Sequence, residues 1–253
     1  MAWHRATRSR LAILAGILGL LAAARLALEL PAARRVLPAA AGDIVLQEVS
    51  TDRRQVALTF DVMEGDRVVG EVLDALARMR ARATFFVTGA WARDHGGLVG
   101  RMARDGHQVE TLGWRGTPLA GRPQREVLQE LRESRAVLQR QTGRPVRFLR
   151  PPAGDHDAGV VAAARQEGLR VVLWSLDSHD WTNPGVDYIV DRVTGRVRPG
   201  SVVLLSASDF ALQTPRAMPG ILEGLAREGL RPVTLDALLQ EGQGGAPGGT
   251  PAP

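Results

Sequence analysis

Residues 56–62 read Val56-Ala57-Leu58-Thr59-Phe60-Asp61-Val62, six apolar or β-prone side chains around one carboxylate. A run this short and this apolar reads as a buried strand. Helical periodicity follows over Val68–Met79, and the same strand-then-helix unit recurs down the chain. Further β-rich runs lie at Ala83–Thr88, Gln108–Thr111, Val146–Leu149, Leu169–Leu176, Ser201–Ser206 and Arg231–Thr234. Helical patterns fill the gaps at Ala90–Arg104, Gln124–Gln141, Ala158–Glu167, Val186–Arg196 and Pro215–Arg227. Breakers stand at the joints, as at Gly106, Gly143-Arg144-Pro145, Gly168, Pro199-Gly200 and Gly229. Alternation this regular predicts right-handed crossovers and a parallel sheet. The expected fold class is α/β, an incomplete or distorted (β/α) barrel of about seven parallel strands rather than an open sheet.

That pattern occupies residues 43–241 of the 253. The 45% hydrophobic and 23% charged content is ordinary globular usage and excludes disorder over most of the chain. Cysteine is absent, which excludes disulfides, thiolate metal sites and a cysteine nucleophile. The net charge of +5 suggests a nucleic-acid binder until its placement is read. Every basic residue is Arg. Six of them (Arg5, Arg8, Arg10, Arg25, Arg34, Arg35) lie in residues 1–42 against one acid, Glu29. The body therefore balances to zero and exerts no net pull on phosphates. With aromatics at 4%, no nucleic acid is expected as a partner.

Arg5, Arg8 and Arg10 precede an uncharged apolar run, Leu11–Ala24, and Ala22-Ala23-Ala24 offers a small-residue cleavage site. The run has the length of a signal-peptide core and is short of the ~20 residues of a spanning helix. Residues 1–42 are expected to form an N-terminal signal or anchor with its linker, making an exported protein that is either held at the membrane as a single-pass protein or released by cleavage. Residues 242–253, rich in Gly and Pro, are expected to be a disordered tail.

In parallel barrels the chemistry sits at the C-terminal ends of the strands. Here those ends carry Asp61, Glu110-Thr111, Arg150-Pro151-Pro152-Ala153-Gly154, Asp177-Ser178-His179-Asp180-Trp181 and Ser206-Ala207-Ser208-Asp209. Singly, each has a structural reading: an Asp as cap or turn residue, Arg-Pro-Pro as a rigid connection, Asp-Trp as a helix start with a buried indole. Converging on one mouth, they supply an acid, a guanidinium to hold it, a second acid and an apolar wall, the makings of a small-molecule or sugar pocket.

The run Val56–Asp61 resembles the first motif of the polysaccharide deacetylase (NodB-homology) family. Arg150-Pro151-Pro152-Ala153-Gly154 resembles its third motif, Asp177–Trp181 its fourth, and Val202-Val203-Leu204-Leu205 the approach to its fifth. The likeness runs from Arg54 to Leu239 and is greatest to the sporulation-type branch. It implies a NodB-type barrel and, as the family reaction, hydrolysis of N-acetyl groups on cell-wall or chitin-like glycan. Such a reaction uses a divalent metal, usually zinc, to activate water and polarise the acetyl oxygen, with an aspartate as base and a histidine as acid. By resemblance Asp61 takes the base position, with Arg150 beside it and Asp180 in the fourth motif. Trp181, Leu204, Pro151 and Pro152 fall at substrate-binding positions.

The chain departs from that pattern at the metal. Where the family reads Gly-His-x-x-Gly-x-His-x-x-x-His, this sequence has Gly106-His107-Gln108-Val109-Glu110-Thr111-Leu112-Gly113-Trp114-Arg115-Gly116. The ligand positions become Val62, Leu112 and Gly116, and the catalytic histidine becomes Ser206. Losing the metal forfeits a water pKa shift of ~8 units, about 11 kcal/mol of hydroxide availability at most. Losing the acid costs a further ~10²–10⁴-fold. The expectation is a catalytically degenerate family member without a cofactor, acting outside the cytoplasm as a module that binds peptidoglycan, another N-acetylated glycan or a partner protein. The alternative is an active deacetylase with a rearranged zinc or other divalent site drawn from Asp61, Glu64, Glu110 and His179. His107 precedes its strand and is expected at the wrong end of the barrel. His156 follows the Arg-Pro-Pro turn and is placed within reach of the mouth.

Overall fold

The structure, a computed structural model, describes residues 45–242. The expected leader at residues 1–42 lies outside the described residues, as does the tail beyond 242. No helix among the described residues is long and apolar enough to cross a membrane.

The strands are β1 (Val45–Leu46), β2 (Gln55–Val62), β3 (Thr84–Val87), β4 (Gln108–Thr111), β5 (Phe148–Leu149), β6 (Arg170–Val172), β7 (Leu176–Asp177), β8 (Val202–Ser206) and β9 (Arg231–Val233). The helices are α1 (Arg67–Arg78), α2 (Gly89–Asp94), α3 (Gly96–Arg104), α4 (Gln124–Thr142), α5 (Ala158–Gln166), α6 (Val186–Thr194), α7 (Thr214–Arg227) and α8 (Leu235–Gly242). The sheet order is β1-β6-β5-β4-β3-β2-β8-β7, with β9 pairing the start of β2, and every strand pair is parallel. This is the expected barrel, with nine strands where about seven were expected: β1 is an addition, and one expected strand divides. The expected strand Leu169–Leu176 is two strands. Leu173-Trp174-Ser175 carries the chain from β6, beside one end of the order, to β7 at the other. Leu173 N donates to Leu46 O on one side of the break and Ser175 N to Val202 O on the other. Three residues cannot span an open sheet, so the sheet curls until its ends approach, and a single antiparallel bridge joins Glu48, after β1, to Ser201, before β8.

The expected helix Ala90–Arg104 also breaks, at His95, where Gly96-Gly97 follows and helix propensity is poorest. The His95 ring stacks on Trp91 at 4.5 Å and Nδ1 bonds Trp91 O.

Strand periodicity divides the interior into two layers. Leu58, Phe60 and Val62 of β2 face the helices and pack with Val69, Leu73 and Leu76 of α1. Ala57 faces the barrel interior, which is filled by Phe86, Leu112, Phe148, Val172 and Val202 and floored by Leu235 and Leu238 of α8. Thr59 and Asp61 alternate onto that inner face, at the mouth.

Candidate functional site

Register places the mouth. Thr59 pairs with Leu204, and Asp61 with both Phe86 and Ser206; Asp177 also pairs with Leu204. Partners in a parallel pair share a face, so Thr59, Asp61, Phe86, Leu204, Ser206 and Asp177 all turn inward. Arg150 leaves β5 with its backbone N donating to Thr111 O, and its side chain crosses the interior, wholly buried. Nη1 donates to Asp61 Oδ1 at 2.8 Å, and Nη2 donates to Thr59 Oγ1 at 2.8 Å and to Leu173 O at 3.1 Å. The guanidinium carbon lies over two aromatic rings, 4.1 Å from the centre of Phe86 and 5.6 Å from that of Trp174. Nε has no hydrogen-bond partner among the described residues. Burial pushes the Asp61 carboxyl above its usual range, and the Arg150 charge offsets only part of that.

The expected pairing of Asp61 with Arg150 is therefore present, but its apolar wall differs. Trp181 is 54% exposed, on a short turn (Asp180–Thr182) over the rim, so it neither buries its indole nor walls in Asp61. Phe86 and Trp174 take that place. Trp174 lies in the break between β6 and β7, inside what reads in sequence as unbroken strand; Thr59 was signalled by alternation with Asp61. Pro151 and Pro152 are buried, immediately after Arg150. Leu204 is half-buried, on the inner face between β2 and β7.

Asp180 is almost wholly buried. Its Oδ2 accepts from Ser206 N at 2.8 Å and Thr214 Oγ1 at 2.6 Å, tying the turn after β7 to the end of β8 and the start of α7. Burial, with a lesser push from Asp177, raises it to about 6, against the pull of those donors. The flanking residues His179 and Asn183 both have left-handed backbones, φ 59° and 52°. Such strain at a turn needs surrounding bonds to hold it. Asn183 Nδ2 donates to Phe210 O and Gly185 N to Gln213 Oε1, clasping this turn to the loop after β8. Trp181, Phe210 and Leu212 stand exposed on the two clasped segments.

The loop after β2 is fixed from the same side. Met63 N donates to Ser208 Oγ, and Val68 N, at the head of α1, donates to Asp209 Oδ1 at 2.8 Å. Gly65 has φ +70°, and a Cβ there would lie 2.0 Å from Asp209 Cγ.

The residues expected at the family's metal positions do not fit a metal. Val62 is fully buried in the layer facing the helices, and Leu112 in the inner layer with Phe86 and Phe148. Gly116 has φ +72°, and the space a side chain would take is filled by Thr88 Cγ2 at 3.2 Å and Met63 Cβ at 3.6 Å. None of the three offers a lone pair in the right layer. The alternative donor set is not assembled either. Among the described residues no three of His, Cys, Asp and Glu are grouped to hold an ion. Glu110 is buried on the inner face, where Oε2 accepts from Arg147 N and Phe148 N, both at 2.7 Å, and Oε1 from Gln108 Nε2. Burial raises it to about 7. His179 Nε2 accepts from Arg192 Nη2 at 3.0 Å. His156 bonds Gly154 O within its own turn. His107 is buried at the start of β4, accepting from Ala83 N, and burial holds it down near 4.

Comparison with known proteins bears on this geometry. The family profile described as polysaccharide deacetylase matches residues 48–172. A chitooligosaccharide deacetylase of Rhizobium leguminosarum bv. trifolii is 35% identical over 198 residues, covering 78% of this chain and 88% of that protein. The solved Bc1960 peptidoglycan N-acetylglucosamine deacetylase superposes with a TM-score of 0.75 at 28% identity, over 78% of this chain and 93% of that one. A Bacillus anthracis protein described as a CE4 family pseudoenzyme gives 0.73 at 22% identity, over 78% and 69%, and shows a shared fold.

Proposed function

From the premise that the chain belongs to the polysaccharide deacetylase family, we propose that it binds an N-acetylated glycan of the cell wall without removing its acetyl groups. The observation that supports this reading is the packing at positions 62, 112 and 116. A metal there would need donors where Val62 and Leu112 fill two separate apolar layers and where Thr88 and Met63 close over Gly116. Asp61 and Arg150 retain the geometry of a held base. With no metal-bound water to work on, Asp61 and Arg150 serve to build and charge the floor of the mouth. Trp181, Phe210 and Leu212 supply an apolar rim against which the faces of sugar rings pack. Ser206 stands where the family carries its acid, and the Asp180 carboxylate binds the Ser206 backbone instead of orienting an imidazole.

The protein is exported, with residues 1–42 as signal or anchor, and meets peptidoglycan or a related glycan at the wall; nucleic acid is no partner. The test is elemental analysis of the purified protein beside a deacetylation assay on an acetylated chito-oligosaccharide. Neither stoichiometric zinc nor released acetate is expected. One zinc per chain surviving dialysis, together with acetate release that Asp61→Asn abolishes, overturns the reading and restores an enzyme with a rearranged site.

A further inference from the structure

A second concavity, of about 520 Å³, opens beside β7, the last strand of the sheet order. That size falls within the roughly 300–1,000 Å³ of ordinary ligand sites. It is bounded by β7 on one side and by the end of α6 and the turn after it on the other. Three of its lining side chains are Arg192, Arg196 and Arg198, against a single acid, Asp177.

The acid is already engaged. Asp177 Oδ1 accepts from His179 N at 2.8 Å. Arg192 is pre-positioned, with Nε donating to Asp177 O at 2.7 Å and Nη2 to His179. The side chains of Arg196 and Arg198 have no hydrogen-bond or ion-pair partner among the described residues. Many other arginines of the body do: Arg67 with Glu71, Arg101 with Asp74, Arg122 with Glu130, Arg135 with Glu167. The turn that presents Arg196 and Arg198 is held firmly. Arg198 N donates to Ser201 Oγ and Ser201 N to Arg198 O, and both Arg196 N and Val197 N return to Val193 O. Three guanidinium groups on a fixed frame around one satisfied carboxylate make a receptor for an oxyanion, and planar forks favour carboxylate or phosphate.

Asp177, which lines the cavity, and His179, which holds Arg192, lead along the chain from it to Asp180 at the mouth. We infer that the cavity is a subsite for an oxyanion carried on the bound glycan, so that the protein prefers an anionic wall polymer to a neutral N-acetylated one. This inference rests on the glycan-binding reading. A sugar chain lying over Trp181 and leaving across β7 brings the substituents of its neighbouring units to the three arginines. Carboxylates of stem peptides and phosphodiesters of wall polymers share this chemistry.

The experiment measures retention of the full chain on three insoluble polymers: chitin, whole cell wall, and peptidoglycan stripped of phosphodiester polymers. The parent is compared with Arg196→Glu/Arg198→Glu, both exposed positions outside the mouth. The expected result is retention on wall about tenfold tighter than on chitin at low salt, falling as salt rises. The double reversal removes that preference and leaves chitin retention unchanged. Stripped peptidoglycan retaining the advantage assigns the oxyanion to carboxylates, and losing it assigns phosphate. Equal retention on all three, untouched by the reversal, overturns the subsite and leaves glycan binding standing. Retention on none overturns glycan binding itself.

Discussion

Arg150 and Asp61 meet through one 2.8 Å hydrogen bond, the guanidinium wholly buried and the carboxylate side chain 14% exposed. An Arg removed from water with only part of its charge compensated depends on that partner and on the Phe86 face. Arg150→Met and Asp61→Asn are each expected to destabilise by about 2–4 kcal/mol, because each leaves the other polar group uncompensated. The double variant should cost less than the sum. Urea unfolding of the four proteins checks this, and strict additivity would show the pair uncoupled.

Glu110 and Asp180 set a pH dependence. Both carboxyls titrate higher in the folded protein, near 7 and near 6, than their ordinary values of 4.5 and 3.8. The unfolded chain therefore loses these protons first as pH rises. Their contribution to stability is full below about pH 4 and declines until about pH 7. Glu110→Gln removes its share, so between pH 4 and pH 8 the variant should gain on the parent by about 3 kcal/mol. Melts across that range test it; parallel stability curves for the two proteins would refute it.

Asp209 caps α1 from 141 residues away through Val68 N. Asp209→Ala should cost about 1 kcal/mol, the usual worth of an N-cap. Gly65→Ala should cost at least as much, from its left-handed φ and from displacing the Asp209 carboxylate. In combination the second change should cost less than alone, since the clash is already gone. Equal effects in both backgrounds, by thermal unfolding, would deny the contact.

Val62→Asp puts a carboxylate at the position expected for a family ligand, in a fully buried apolar layer. Destabilisation of about 3 kcal/mol or more is expected, eased at low pH where the group is neutral. A variant as stable as the parent at pH 8 would mean that the layer opens to water there.

Trp181→Ala removes a half-exposed indole. Affinity for N-acetylated oligosaccharide should fall about tenfold, on the scale of roughly 1–1.5 kcal/mol for an aromatic stacking contact. The melting temperature should stay within a few degrees. Calorimetric titration separates the two outcomes, and unchanged affinity removes Trp181 from the site.

Asp61 and Arg150 were legible because each ends an apolar run, and Asp180 because it follows one by four residues; parallel topology sends such ends to one mouth. What surrounds them was not. Trp174 lies in a run with no sequence break, and the strand parts there only because β6 and β7 pair with different, distant neighbours. The cap on α1 is equally non-local: Asp66 stands at the N-cap position, yet its side chain makes no capping bond and Asp209 supplies it. Glu110 reads as a donor at a strand end, but strands too short to complete their ladder leave Arg147 N and Phe148 N free to bind it. The exposure of Trp181 follows from the left-handed turn at His179, a conformation that residue type seldom signals.

The pairing of β2 bears on how the chain acquires its fold. Thr59 Oγ1 donates to Val203 O across 144 residues of sequence, and β9 joins the start of the same strand later still. This strand thus keeps an open edge until the last fifth of the chain has arrived. Folding of this topology is slow, because loop closure precedes the contacts that reward it. A chain that leaves this strand unfinished until synthesis is nearly complete exposes β2 to association with other unfinished chains.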